Sequence, residues 1–215
     1  MTASTDLSLH LVTAEGLPTD TLCAIVDAAV DGGVTIVQVR EKTASARELI
    51  ERTVRVSDTV AGRAAVLVDD RVDVVLAARD RGARVDGVHL GQSDLPVEVA
   101  RRLLGAESVI GLTANTVDHF ATAEALRPGT VDYLGVGVIR PTATKPDHPA
   151  PLGIDGFAAL VARTSIPCVA IGGVRPDDVA GLRAAGAAGV AVVSAIAGAS
   201  DPRAAARAFR EAARR

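Results

Sequence analysis

From Leu9 onward, short apolar runs alternate with longer stretches in which apolar residues recur at helical spacing, and the alternation repeats eight times. The apolar runs predict strands over Leu9–Thr13, Thr35–Arg40, Ala65–Val68, Gly87–Leu90, Val109–Leu112, Tyr133–Val136, Cys168–Ile171 and Val190–Val193. Helices are predicted between them: from Thr19 or Asp20 to about Asp31, Ser45 to about Val60, after Asp70 to near Arg81-Gly82, Pro96 to Gly105, about Thr116 to Leu126, Ile154–Arg163 and Pro176 to about Ala185. A short turn, Ala195–Ala197, precedes a last helix over Pro202–Arg214. Local signals support several starts. Ser45-Ala46-Arg47-Glu48 reads as a capping box, and Pro96 suits a first helical turn.

Strict βα alternation in a chain of 215 residues predicts a single (β/α)8 TIM barrel over residues 1–215, with residues 1–8 as a flexible tail. The competing architecture, an open doubly wound sheet, expects a glycine-rich phosphate turn after the first strand, where this chain has Thr13-Ala14-Glu15-Gly16. In a barrel, function belongs on the loops that follow the strands.

Composition narrows the function classes. The chain is 48% apolar but only 2% aromatic and has no Trp, so Ala, Val, Leu and Gly fill the core. A net charge of −3 without a basic stripe or stacking aromatics disfavours nucleic acid as a partner. Cys23 and Cys168 have no metal or redox spacing and read as small buried apolar residues. No apolar run is long enough to span a bilayer, and the N-terminus lacks a signal-peptide core, so the expectation is a cytoplasmic protein with no membrane partner. Helix faces of a barrel serve solvent and interface alike, which leaves the oligomeric state open.

Candidate chemistry concentrates on the predicted loops. Gln38, Arg40 and Lys42 are two apart and share one strand face, which points them to the barrel mouth. Charges there need acidic partners, as in a structural salt-bridge network, or an anionic ligand. Asp69-Asp70 and Gly91-Gln92-Ser93-Asp94 follow neighbouring strands, so Asp70 and Asp94 converge and suit Mg²⁺ held jointly with a phosphate-bearing substrate. Each also precedes a predicted helix, where an aspartate makes a good N-cap. Gly111-Leu112-Thr113-Ala114-Asn115 offers a hydroxyl and an amide, with Asn115 read as a helix N-cap. His89, within a strand, reads as a packed polar group. After the sixth strand, Thr142, Thr144 and Lys145 lie between Pro141 and Pro146, a stiffened loop suited to an anion. Gly172-Gly173 and Val193-Ser194 follow the seventh and eighth strands, where this fold binds phosphate through backbone N–H groups. Two anion sites without a nucleophile suggest transfer with a diphosphate leaving group, aided by electrostatics.

Val37-Gln38-Val39-Arg40-Glu41-Lys42, Asp70-Arg71-Val72-Asp73, Asp86-Gly87-Val88-His89-Leu90-Gly91-Gln92-Ser93-Asp94, Pro141-Thr142-Ala143-Thr144-Lys145-Pro146, Ala170-Ile171-Gly172-Gly173 and Val193-Ser194-Ala195-Ile196 together resemble the thiamine phosphate synthase family. The resemblance implies an enzyme that joins hydroxymethylpyrimidine diphosphate to thiazole phosphate, giving thiamine phosphate and pyrophosphate, with both small-molecule substrates in one site. It implies Gln38, Arg40, Lys42 and Lys145 on the pyrimidine diphosphate, with Arg40 and Lys145 as the catalytic pair, and Mg²⁺ on Asp70 and Asp94. It further implies Thr142, Thr144, Gly172, Gly173, Val193 and Ser194 about the thiazole phosphate, and Asp69 and Thr113 on the substrate wall. The family pattern has asparagine where this chain has Asp69 and serine where it has Thr113. It also has proline at Val138 and an aromatic or apolar residue at Arg140. These departures keep two alternatives in view, a thiazole tautomerase-like relative and a non-catalytic barrel that binds a phosphorylated metabolite.

Overall fold

The computed structural model describes residues 5–142 and 150–214 of the chain. Thr144 and Lys145, both named above as site residues, lie outside the described residues. Eight strands run in parallel and close into a barrel in sequence order: β1 (Leu9–Val12), β2 (Ile36–Val39), β3 (Ala65–Asp69), β4 (Gly87–Leu90), β5 (Val109–Thr113), β6 (Tyr133–Gly137), β7 (Cys168–Ile171) and β8 (Ala187–Val192). β1 pairs with both β2 and β8, which removes the open-sheet alternative.

The helices cover the outside: α1 (Thr19–Asp31), α2 (Ala46–Val60), α3 (Val72–Asp80), α4 (Val97–Leu104), α5 (Val117–Glu124), α6 (Gly153–Val161), α7 (Val179–Ala184), the short α8 (Ser194–Ala197) and α9 (Pro202–Ala212). The Ser45 capping box forms: Ser45 Oγ accepts from the Glu48 N–H and the Glu48 carboxylate accepts from the Ser45 N–H. The helix predicted from Pro176 opens instead with a 3₁₀ turn, Pro176–Asp178, before α7. Proline fixes the first φ but supplies no N–H, and the tighter turn suits it.

Two apolar layers result. The outer layer, between strands and helices, holds Phe120, Phe157 and Phe209. The inner layer fills the barrel with Val12, Ile36, Leu67, Val109, Tyr133, Val169 and Ala191. Both cysteines are buried and unbridged, as read from the sequence. Among the described residues no helix is long and apolar enough to cross a membrane.

Candidate active site

A cavity of about 510 Å³ lies at the C-terminal ends of the strands. Every described residue predicted for the site lines it: Gln38, Arg40, Lys42, Asp69, Asp70, Asp94, Thr113, Thr142, Gly172, Gly173, Val193 and Ser194.

The charged wall is built by β2, β3 and β4. Strand alternation aims Gln38 and Arg40 inward, and Lys42 follows at the rim. Asp69 gathers all three: its carboxylate accepts from Gln38 Nε2 at 2.6 Å and faces Lys42 Nζ at 3.0 Å and Arg40 Nε at 3.5 Å. Lys42 also pairs with Asp70, and Arg40 with Glu15 from the loop after β1. Burial pulls the Lys42 ammonium down, but Asp70 and Asp69 together hold it above the usual lysine range. The acidic partners required for these cations are therefore present.

Strand alternation alone would send Asp69 and Asp70 to opposite faces. Asp70 instead adopts φ +62°, and the Arg71 N–H closes a tight turn onto the Asp69 carbonyl at 2.7 Å. Aspartate tolerates this left-handed conformation better than most residues. The turn brings both carboxylates to the same cavity.

The helix-capping alternative for Asp70 and Asp94 does not hold. The residues at the N-cap positions of α3 and α4 are Arg71 and Pro96, and neither cap has a side-chain hydrogen bond. Asp94 accepts instead from the Gly91 N–H at 2.7 Å. Burial pushes the Asp94 carboxyl up, the Gly91 N–H opposes this, and the facing Asp70 carboxylate pushes it up further. Two hard carboxylates set against each other in this way suit a divalent cation. Among the described residues no three His, Cys, Asp or Glu groups gather as a metal cage. Magnesium does not require one, since it commonly takes one or two carboxylates plus substrate phosphates.

Asn115 is not the cap predicted. Thr116 caps α5 by accepting from the His119 N–H, and Asn115 and His119 both line the cavity. Two polar candidates stood side by side in the sequence, and only the backbone bend decides which precedes the helix. His119 and Gln92 were missed, as was Glu15. Gln92 and Glu15 lie on loops, and His119 sits in the first turn of α5, where no periodic signal separates it from a solvent-facing residue.

The opposite wall is backbone. Gly172 and Gly173 sit at φ +92° and +66°. A Cβ on Gly172 would come within 2.8 Å of Val138 Cα, and one on Gly173 within 2.9 Å of the Arg140 and Pro141 carbonyl oxygens. The Arg140 N–H donates to the Gly172 carbonyl at 3.0 Å, so the loops after β6 and β7 are locked together. Arg140 reaches past this lock to the buried Asp178, which accepts from its Nη2 at 2.6 Å and its Nε at 2.9 Å. The departure at Arg140 thus has a structural partner. Val193 and Ser194 begin α8, whose first N–H groups have no intrahelical acceptor.

His89 is the packed polar group expected. Its Nδ1 lies 2.9 Å from the Tyr133 hydroxyl and its Nε2 3.0 Å from Thr113 Oγ1. Burial pushes its pKa down, so the ring is neutral.

Residues 9–196 match the family model described as thiamine monophosphate synthase. The chain is 46% identical over 208 residues to the thiamine-phosphate synthase of Moorella thermoacetica, covering 96% of this chain and 94% of that protein. It is also 46% identical over 208 residues to the thiamine-phosphate synthase of Chloroflexus aurantiacus, covering 95% and 92%. Among solved structures, the thiamine phosphate pyrophosphorylase of Pyrococcus furiosus superposes with a TM-score of 0.81 at 32% identity, covering 98% of this chain and 97% of that one.

Proposed function

The chain belongs to the thiamine monophosphate synthase family, and from that membership and the two unlike walls of its cavity we propose how it works. It is a transferase of thiamine biosynthesis that acts on small molecules and moves a pyrimidinylmethyl group. Our reading of the site assigns hydroxymethylpyrimidine diphosphate to the charged wall and thiazole phosphate to the backbone wall.

Gln38, Arg40 and Lys42 bind the diphosphate, with Lys145 from outside the described residues, and Asp69 and Thr113 flank it. The C–O bond to the pyrimidine methylene breaks and its electron pair leaves with the diphosphate. Arg40 and Lys145 stabilise that charge as it develops, in a site partly shielded from water. Thr142, Thr144, Gly172, Gly173, Val193 and Ser194 hold the thiazole phosphate, so that the ring nitrogen lone pair forms the new C–N bond to the resulting cation. Asp70 and Asp94 would hold Mg²⁺, which when bound supplies positive charge to the diphosphate oxygens. The same reading puts the protein in the cytoplasm, with its two phosphorylated substrates.

The observation that carries this reading is the joining of three cation-and-amide donors with two opposed carboxylates on one side of a cavity and a glycine-rich backbone wall on the other. His89, the proton carrier the tautomerase alternative would draw on, has both ring nitrogens engaged within the protein. The relatives are synthases. The test is pyrophosphate release with each substrate alone and with both, with and without Mg²⁺. Release requiring both substrates and the metal is expected. Release undiminished by chelator or by Asp94→Ala would refute the metal assignment, and no release with both substrates would refute the synthase.

A further inference from the structure

Thr113 is the outer end of a buried hydrogen-bond chain that runs from the cavity into the barrel: Thr113 Oγ1, His89 Nε2, His89 Nδ1, Tyr133 hydroxyl. A neutral imidazole offers one donor and one acceptor, so the chain has a direction. Tyr133 is 1% exposed, and among the described residues its hydroxyl meets only His89 Nδ1. If Nδ1 carried the proton, the buried phenol would have no acceptor for its own, which disfavours that tautomer by about tenfold or more. The matched arrangement runs one way. Tyr133 O–H donates to Nδ1, Nε2–H donates to Thr113 Oγ1, and the Thr113 proton is left for the cavity.

The rings are held so that this direction cannot relax by rotation. Tyr133 stacks on His89 with centroids 5.4 Å apart, and His10 meets Tyr133 edge-on at 5.2 Å. Gly111 and Gly135 make room for the pair: a Cβ on Gly135 would lie 2.9 Å from His89 Cε1, and one on Gly111 would collide with the Tyr133 ring. Thr113 adds its own restriction, because a β-branched side chain has few χ1 choices.

We propose that Tyr133 is a positioning residue for the reaction: acting through His89, it fixes the Thr113 hydroxyl as a hydrogen-bond donor to the departing diphosphate. This rests on the assignment of Thr113 to the diphosphate wall. In the reverse polarity Thr113 would donate to His89 and present the substrate with lone pairs that repel an anion.

Two measurements that need no turnover test it. Nitrogen-15 NMR of the wild-type protein should show His89 as the Nε2–H tautomer, and Tyr133→Phe should give a mixture. An Nδ1–H tautomer or an imidazolium in the wild type at neutral pH overturns the proposal. Calorimetric titration with magnesium pyrophosphate should show Thr113→Val weakening affinity about tenfold and Tyr133→Phe about twofold, as expected when about half of the molecules keep the competent tautomer, and the double variant no weaker than Thr113→Val alone. Additive losses would mean that Tyr133 acts by packing, and would overturn the proposal, as would a wild type that does not bind pyrophosphate. Should Tyr133→Phe fail to fold, His89→Gln, which keeps an N–H toward Thr113, should bind pyrophosphate about tenfold tighter than His89→Leu, and equal binding overturns the idea. A wild type with the expected tautomer and affinity that makes no product would refute the synthase reading and, with it, the role toward a departing diphosphate, while the Thr113 contact to bound pyrophosphate would stand.

Discussion

Asp69→Asn should tighten binding of the diphosphate substrate, although it removes a charged residue at the centre of the site. Among the described residues two cations, Arg40 and Lys42, face four carboxylates, Glu15, Asp69, Asp70 and Asp94. Asp69 is the most enclosed partner and the one whose carboxylate reaches Gln38, Lys42 and Arg40 together, at 2.6, 3.0 and 3.5 Å. A phosphate oxygen that took the Lys42 ammonium would lie about 5 Å from the Asp69 carboxylate, given ordinary hydrogen-bond lengths to the shared nitrogen. At about 5 Å one unit charge repels another by about 3 kcal/mol at an effective dielectric of about 20, and by about 1 kcal/mol in water-like surroundings. Against this stands the loss of an ion partner that pre-aims Lys42, worth about 1 kcal/mol for a half-exposed pair.

Asparagine keeps the shape. Its carbonyl accepts from Lys42, and Gln38 can turn its amide to accept from the new NH₂ group, so no buried polar atom is orphaned. The balance favours the variant by about 1 kcal/mol, or about a fivefold lower KM for the diphosphate substrate at low salt. The gain should shrink by 0.5 M salt, where screening shortens to a few ångströms. Initial rates of pyrophosphate release at saturating thiazole phosphate measure it. A KM that rises, or that ignores salt, would refute the electrostatic argument and make Asp69 a required partner of the cations.

Other expectations follow from named contacts. His10 is fully enclosed, its Nε2 has no hydrogen-bond partner among the described residues, and burial, helped by nearby His89, drives its pKa from 6.5 to about 3. The folded value lies below the unfolded one, so the unfolded chain binds more protons and stability falls with pH below about 6.5; urea unfolding should show wild type losing about 2 kcal/mol more than His10→Leu between pH 7 and pH 5. Glu41, nearly buried, accepts from the Gly16 N–H at 3.0 Å and Arg52 at 2.9 Å, tying the loop after β1 to the one carrying Arg40 and Lys42. Glu41→Ala should destabilise by about 3 kcal/mol, with part recovered in Glu41→Ala/Arg52→Met, and equal losses would show that the buried pair is not what binds the loops. Gly111→Ala should lower stability by about 1 to 3 kcal/mol, read as a fall in melting temperature, because the methyl has no space beside Tyr133 and His89.

The barrel was legible because each βα unit carries its own period, and the inward set Gln38, Arg40 and Lys42 follows from that same period. What escaped was decided by how strand ends and loops align in space. Glu15, one of the two carboxylates on Arg40, is placed by the alignment of the loop after β1 with the end of its neighbour β2. Thr13, nearly buried, holds the backbone of Arg40 by accepting from its N–H at 2.9 Å, yet looks in the sequence like any threonine ending a strand. The paired carboxylates were harder still. Alternation predicts that Asp69 and Asp70 diverge, and only the positive φ at Asp70 turns both into one cavity. A non-glycine residue held in that conformation is a local strain, and such strain gathers where a site needs it.

The two walls differ in kind, and the difference fits two substrates of unequal charge that must meet without repelling each other apart. The wall of β2, β3 and β4 uses side-chain cations that are matched by carboxylates. Unpaired cations in a half-buried mouth would pay a large desolvation penalty, so the carboxylates keep them ordered; in the proposed function, a diphosphate would replace part of that network. The wall of β7 and β8 presents backbone N–H groups with no net charge, enough for a single phosphate and less attractive to a diphosphate. Between the walls the floor is small and apolar, with Val12, Ile171 and Ala191 where a larger side chain would fill the space. All three phenylalanines lie in the outer layer, and the one tyrosine is turned down into the barrel against His89. The scarcity of aromatic side chains is thus part of the site: it leaves a cavity of about 510 Å³ open, with Thr113 on its lining at the outer end of the buried chain, which is the space the proposed pair of substrates requires.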